Sequence, residues 1–336
     1  MIMPDFQDIV ADPHFMPVGV SADMHTIRFA RVSVESLRAQ AFLDGRSPYT
    51  HGPETAVAID ELAPVLGGNT APSRVLLHVS FCGSTLLSNL LDVEGQSLGL
   101  REPAGQIELA DALRTAPERV SRATHVVEAL LSRTIEGHVP VIKPSNWANN
   151  LLPIWIDETA IDPIFMTIAP RLFLRAVFRG GRDRLAYAIR LAQHLAPSIE
   201  DGAGRLSRSI AAPPDPLQKA ARLSLLALSF QLTLFQTALK ERRWGKARVI
   251  TFDQLENDPV GTAIRVADIL QLPVEVAAIR RGSKAVLERH AKVPGRRFAA
   301  SEAAEANRLV EQHHSATFDS AFAWASAEEL CLEMPV

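Results

Sequence analysis

RVLLHVSFCGSTLLSNLLDVEGQSLGLREP, residues 74–103, is the stretch that decides the fold of this 336-residue chain. It begins with a short apolar run, Val75–Leu77, whose length and branching suit a buried parallel strand. A turn of mostly small residues follows at Ser80–Thr85, and leucines then recur at helical spacing over Leu86–Leu91. The stretch therefore predicts a strand, a tight turn and a helix.

This arrangement favours an oxyanion site, because the backbone N–H groups of the turn and the positive end of the helix dipole converge on one place. Gly83 lets the main chain approach an anion closely, and the hydroxyls of Ser84 and Thr85 can donate hydrogen bonds to its oxygens. An ordinary strand, turn and helix without a ligand is the alternative for this stretch alone.

The loop differs from that of nucleotide hydrolases, which reads G-x-x-x-x-G-K-[ST]. Aligning Gly83-Ser84-Thr85 to the end of that motif puts Ser84 at the lysine that serves the β- and γ-phosphates. Ser80–Leu87 instead resembles the 5′-phosphosulfate loop of the sulfotransferase family, roughly P-[KR]-S-G-[ST]-T, with Phe81 at the basic position. The resemblance implies that the phosphosulfate is bound by Ser80, Cys82, Gly83, Ser84, Thr85 and Leu86.

The composition, with 47% hydrophobic and 22% charged residues, is that of a globular enzyme. A net charge of −3 gives no indication of a nucleic-acid partner. Two cysteines, Cys82 and Cys331, exclude a disulfide scaffold and fit a reducing compartment. The N-terminus lacks an apolar core of signal-peptide length, so a cytoplasmic location is expected, and no membrane span is predicted.

Strands alternate with helices along the chain, which predicts an α/β fold with a parallel sheet. The predicted strands are Val75–Leu77, parts of 97–103 and 139–146, Ile164–Ile168 and Arg248–Phe252. One basic helix is predicted over Arg171–Leu191, a core helix over Leu217–Arg243, and loops over 201–216 and 282–298. Before the loop strand, Thr26–Val32 alternates like a half-exposed strand, and Glu35–Leu43 reads as a short helix.

Glu102 and Lys143 each follow a predicted strand, and ligands of parallel sheets bind beyond the carboxyl ends of the strands. Glu102-Pro103 resembles the segment that carries the catalytic glutamate of tyrosyl-protein sulfotransferases, which implies that Glu102 deprotonates the acceptor. Lys143 resembles the lysine that lies near the transferred group in cytosolic sulfotransferases. The alternative for Glu102 is an acid that begins a helix and pairs with Arg101. The alternative for Lys143 is a solvated lysine at a strand end.

Sulfotransferases bind the 3′-phosphate of their nucleotide with an arginine and a serine, and this sequence has Ile168 and Ala176 at those places. Other cations can serve instead, because arginine forks suit phosphate. The arginines available for this role in the same segment are Arg171, Arg175, Arg179, Arg182 and Arg184, of which Arg171 and Arg175 are the predicted contacts. Lys292 and Arg296 are the predicted contacts in the basic segment that, by the resemblance, lies over the nucleotide. The solvated face of a helix is the alternative for all the arginines of the segment 171–184.

The segment 248–273 resembles the late strand and helix of the sulfotransferase family. The resemblance implies a P-loop three-layer sandwich of sulfotransferase type, formed by residues 71–300, with an N-terminal extension over 1–70 and a helical tail over 301–336. It implies transfer of a sulfuryl group from 3′-phosphoadenosine-5′-phosphosulfate to a hydroxyl or amine of a small or carrier-linked acceptor, without a metal. An ATP-dependent enzyme using Asp253 for magnesium, and a non-catalytic scaffold, are the alternatives.

Overall fold

The computed structural model of the chain describes residues 6–66, 72–211, 215–288 and 300–334. Within these residues the strands are β1 (Phe15–Val20), β2 (Thr26–Arg31), β3 (His51–Ala58), β4 (Ser73–His78), β5 (Ser97–Arg101), β6 (Val139–Lys143), β7 (Ile161–Thr167) and β8 (Val249–Thr251). The first helices are α1 (Phe6–Ala11), α2 (Val34–Ala39), α3 (Ile59–Leu66), α4 (Ser84–Leu90), α5 (Ala104–Ala112), α6 (Pro117–Leu131) and α7 (Leu152–Glu158). The later helices are α8 (Pro170–Arg179), α9 (Gly181–Leu195), α10 (Gly202–Ala211), α11 (Pro216–Glu241), α12 (Phe252–Asn257), α13 (Pro259–Ile269), α14 (Val276–Leu287) and α15 (Ala300–Ala327).

A five-stranded sheet has the order β5-β6-β4-β7-β8. The pairs β5-β6, β4-β6 and β7-β8 are parallel, and the first pair runs in register from Ser97 opposite Val139 to Arg101 opposite Lys143. The strands carry continuous apolar runs because helices flank the sheet. The α/β fold with a parallel sheet, predicted from the alternation of strands and helices, is confirmed.

A second sheet, near the N-terminus, is antiparallel with the order β1-β2-β3. The prediction of a strand beginning at Thr26 is confirmed, whereas the outer two strands are not evident in the sequence. Strand β1 is apolar without alternation and contains Pro17, and β3 is mostly exposed and contains Gly52 and Pro53. Helix α2 ends at Ala39 rather than at the predicted Leu43.

The described chain divides into two compact units. The first unit takes the described residues within Met1–Leu77, Ser84–Ile164 and Gln254–Arg297, and the second takes those within His78–Gly83, Phe165–Asp253 and Phe298–Val336. In the first unit, α4 packs closely on β5, since a Cβ added at Gly99 would lie 2.9 Å from Ser88 Oγ. Glycine is therefore required at position 99 by the close approach of α4.

The second unit is built around α11. This helix is long and apolar enough to cross a membrane by length and composition, but 78% of its most apolar window is buried inside the protein. Its Phe235 ring packs on Phe165 of β7, with ring centroids 5.1 Å apart. The prediction of a buried core helix is confirmed, and its unusual apolarity is explained by burial around most of its circumference.

Three local predictions are wrong. The segment 201–216 is not all loop, because α10 occupies Gly202–Ala211. The single basic helix predicted over Arg171–Leu191 is two helices, which break at Gly180-Gly181, where Gly181 has a left-handed φ of 63°. The segment predicted as a loop from Gly282 onward continues α14 to Leu287, and its remainder, 289–298, lies outside the described residues.

Candidate active site

The predicted binding loop leaves the sheet at the end of β4. The Val79 N–H donates to the Met166 carbonyl at 3.0 Å, which prolongs the strand pairing by one residue. The turn then contains two residues with left-handed backbone, Phe81 with φ 66° and Gly83 with φ 81°. Glycine adopts this conformation without a steric cost, whereas a phenylalanine pays about 1 to 3 kcal/mol. The packing around Phe81 therefore stabilises the turn.

The ring of Phe81 lies between two side chains of the second unit. The Arg184 guanidinium carbon is 4.9 Å from the ring centroid, and the Phe173 ring is tilted against it at 5.9 Å. Phe81 stands where the sulfotransferase loop has a basic residue. The sequence places no cation at this position. It groups Arg184 with the other arginines of the segment 171–184, and it does not indicate that Arg184, 103 positions after Phe81, is the one whose guanidinium lies on this ring.

The second half of the loop begins α4. Ser84 and Thr85, the residues predicted to donate to the anion, are 6% and 4% exposed. Cys82 is fully buried and forms no disulfide, as expected for a small residue of the loop. Helix α4 has only seven residues, so its dipole contributes less to anion binding than the sequence pattern indicates.

Glu102 and Lys143 lie together in the first unit. Lys143 Nζ donates to Glu102 Oε1 at 2.7 Å, and the Glu102 N–H donates to the Lys143 carbonyl at 2.6 Å. The Lys143 side chain is fully buried and that of Glu102 is 18% exposed. Neither alternative from the sequence holds: the lysine is not solvated, and Arg101 pairs with Asp92 rather than with Glu102.

Glu102 has a left-handed backbone with φ 56°, which the N-terminal segment holds in place. The Leu43 N–H donates to the Arg101 carbonyl at 2.7 Å, and the Leu43 carbonyl accepts from the Ala104 N–H at 3.0 Å. The backbone of Leu43 thus brackets Glu102 on both sides. The segment predicted as an N-terminal extension, residues 1–70, therefore helps to hold the turn that contains Glu102, the predicted base.

The residue next to Leu43 also contacts the predicted catalytic lysine. Lys143 Nζ lies 5.8 Å from the Phe42 ring centroid, and the Arg46 guanidinium lies 4.9 Å from the same ring. Hydrogen bonding to Asp44 raises the pKa of Arg46, with burial opposing and Glu102 adding a smaller attraction. Sequence reasoning missed Phe42, and nothing in the local pattern around it distinguishes it from a core aromatic residue.

Arg171 and Arg175, predicted to bind the nucleotide, contact Glu311 of α15 in the second unit. Arg171 Nε lies 2.9 Å from Glu311 Oε1, Arg171 Nη1 lies 2.7 Å from Asp319 Oδ1, and Arg175 Nε also donates to Glu311. Hydrogen bonds from Arg171, followed by Arg175, lower the pKa of Glu311 against the effect of burial. A ligand phosphate would have to compete with this carboxylate.

The remaining candidates are less informative. Lys292 and Arg296 lie outside the described residues, so their role stays a prediction. Asp253, the magnesium ligand of the ATP alternative, lies in the first turn of α12. Within the described ranges no group of three or more histidine, cysteine or acidic residues is arranged to hold a metal ion.

Comparison with known proteins provides no family. No protein-family model matches the sequence, and no curated protein matches it. Two solved structures of retinol dehydratase resemble the chain, one in complex with androsterone and inactive cofactor PAP, the other with retinol and PAP. The first has a TM-score of 0.30 and 14% sequence identity, and the match covers 83% of this chain and 93% of the retinol dehydratase chain. The second has a TM-score of 0.29 and 12% sequence identity, and the match covers 89% of this chain and 96% of the retinol dehydratase chain. Likeness at this level supports no argument about activity.

Proposed function

We propose that this chain is a sulfotransferase-like enzyme that uses 3′-phosphoadenosine-5′-phosphosulfate as donor. The acceptor is a hydroxyl or amine of a small or carrier-linked molecule. The observation that carries the proposal is the contact of 2.7 Å between Lys143 and Glu102 at the carboxyl ends of two neighbouring parallel strands. Open α/β sheets bind their ligands at that edge. A buried lysine next to a partly exposed carboxylate is a pair suited to proton and charge handling.

The residues divide the reaction between them. The acceptor oxygen or nitrogen attacks sulfur, and the bond from sulfur to the bridging phosphate oxygen breaks, so the nucleotide leaves as the 3′,5′-bisphosphate. The acceptor proton moves to the Glu102 carboxylate, whose Oε1 is held by Lys143. The Lys143 ammonium offsets the negative charge that builds on the departing oxygen. The loop Ser80–Leu86 holds the 5′-phosphosulfate.

The part of the site for the 3′-phosphate differs from the family pattern. Ile168 and Ala176 are buried and carry no side-chain donor, so other cations must bind this phosphate. Arg171, Arg175, Lys292 and Arg296 are proposed for it. Arg171 and Arg175 would release the Glu311 carboxylate and bind the phosphate in its place.

Thermal unfolding with 3′-phosphoadenosine 5′-phosphate tests the proposal, with ATP plus magnesium run in parallel. At a hundred times its dissociation constant, a ligand that binds only the native state adds about 2.7 kcal/mol of stability. We expect stabilisation by the bisphosphate alone, and its loss in the Ser84→Ala/Thr85→Ala variant. Ser88→Ala is the matched control, because the buried Ser88 hydroxyl, on the same helix, forms no hydrogen bond to any residue that the structure describes.

The outcomes separate the alternatives. A response to ATP with magnesium and not to the bisphosphate would replace the proposal by a nucleotide-using enzyme. A folded protein that responds to neither would indicate a non-catalytic scaffold. If the bisphosphate stabilises, sulfuryl transfer from labelled donor to a panel of phenols, alcohols and amines then measures activity, and Glu102→Gln should abolish it.

A further inference from the structure

Arg184, in the first turn of α9, is held in a defined place in the second unit. Its guanidinium carbon lies 4.9 Å from the Phe81 ring centroid, and its Nη1 donates to the Ala176 carbonyl at 2.8 Å. An arginine over the face of an aromatic ring is attracted to the ring quadrupole. These two contacts fix the guanidinium at the turn Ser80–Gly83.

The Arg184 side chain passes directly over Gly180, where there is no Cβ. A Cβ added at Gly180 would lie 1.9 Å from Arg184 Cδ and 2.3 Å from Cγ. Gly180 has φ −80°, which any residue adopts, so its backbone conformation does not require glycine. The absence of a side chain at this position is instead required by the path that Arg184 takes to Phe81.

Among the described residues no carboxylate pairs with Arg184, whereas Arg171 and Arg175 share Glu311. Burial lowers the pKa of Arg184, and the neighbouring charge of Arg179 lowers it further. A partly buried cation next to another cation is stabilised when an anion binds to it.

We propose that Arg184 is the cation that binds an oxyanion at the turn Ser80–Gly83, in place of the basic residue that Phe81 replaces. The Phe81 ring is the platform that positions the guanidinium, and its left-handed backbone is maintained by this contact and by Phe173. The ligand group is a phosphate or sulfate ester, whose oxygens match the donors of an arginine fork. Its identity as a 5′-phosphosulfate rests on the proposed function.

Titration calorimetry with 3′-phosphoadenosine 5′-phosphate and, separately, with inorganic pyrophosphate tests this proposal. We expect Arg184→Gln to weaken binding by about 10- to 100-fold, because charge-assisted hydrogen bonds to a phosphate are lost. Arg182→Gln, an exposed arginine in the same turn of the helix, is the matched control and should bind like the wild type.

A second variant keeps the charge of Arg184 but moves its guanidinium away from Phe81. Gly180→Ala introduces a Cβ that displaces the flexible Arg184 side chain from Phe81, with no backbone strain. We expect a melting temperature close to that of the wild type and affinity reduced as in Arg184→Gln. Full affinity in Gly180→Ala would overturn the role of the aromatic platform.

The two probes separate this proposal from the proposed function. If the wild type binds the bisphosphate and Arg184→Gln binds it equally well, Arg184 only caps α8 and the inference is wrong. If the wild type binds pyrophosphate but not the bisphosphate, and Arg184→Gln loses this binding, the oxyanion site stands and the sulfotransferase function falls. Binding of neither probe by the wild type overturns both.

Discussion

Lys143 Nζ lies 2.7 Å from Glu102 Oε1 although 41 residues separate them in sequence. The register of β5 and β6, which sets Arg101 opposite Lys143, brings the two residues together. The lysine is fully buried, so the carboxylate is what compensates its charge. The contact between Lys143 and Glu102 therefore stabilises the fold, in addition to the role in proton transfer proposed for it.

Removing the carboxylate should destabilise the protein. We expect Glu102→Ala to lower the free energy of unfolding by about 3 kcal/mol, because it leaves a buried ammonium unpaired. Replacing both residues, as in Glu102→Ala/Lys143→Met, should recover a large part of this loss. Urea denaturation measures both changes. Arg46→Gln, which removes an exposed charge near the pair, is the control, and a loss below 1 kcal/mol in Glu102→Ala would contradict the prediction.

Glu128 makes the stability depend on pH. Burial raises the pKa of Glu128 to about 7, against a hydrogen bond from Gln106 Nε2 at 2.6 Å. The folded state thus holds a proton that the unfolded state releases at lower pH, and stability falls as pH rises from about 4.5 to about 7. Over this window we expect a contribution of about 3 kcal/mol to be lost.

Glu128→Gln removes the titrating group and keeps an acceptor for Gln106. Chemical denaturation at pH 5 and pH 8 should show a smaller difference between the two pH values in the variant than in the wild type. An unchanged difference would mean that Glu128 is ionised at both pH values, and that another group causes the dependence.

Glu311 competes with any ligand of Arg171 and Arg175. We expect Glu311→Gln to tighten binding of 3′-phosphoadenosine 5′-phosphate by up to about fivefold, because partly exposed ion pairs contribute up to about 1 kcal/mol. Calorimetry measures the affinity. Equal affinity in wild type and variant would show that the two arginines only attach α15, and would remove them from the predicted site.

Helix α15 is attached to α8 by aromatic rings as well as by charge. Phe318 is fully buried, with its ring 4.9 Å from that of Phe178 in an edge-to-face arrangement. Phe318→Ala should cost about 3 to 5 kcal/mol in unfolding free energy. Leu309→Ala, on the same helix but 41% exposed, should change stability by less than about 0.5 kcal/mol. Similar losses in the two variants would show that α15 is not held by this aromatic contact.

Several elements were predictable because their signals are local. The apolar run before the loop, the alternation of strands and helices, and the apolar centre of α11 each depend on periodicity over a few residues. The break at Gly180-Gly181 and the helix α10 were missed for the same reason. Basic residues on both sides of the break continue a helical pattern, and the Gly, Ser and Asp content around α10 resembles that of a loop.

The sequence by itself determined the α/β class, the place of the candidate loop and the identity of the two residues at the strand ends. Each follows from the chemistry of neighbouring positions. Only the tertiary structure decided that Glu102 and Lys143 pair, that Glu311 occupies Arg171 and Arg175, and that Arg184 lies on Phe81. These contacts join residues 41, 136 to 140 and 103 positions apart. Strand register and helix packing, rather than local propensity, determine which distant side chains meet.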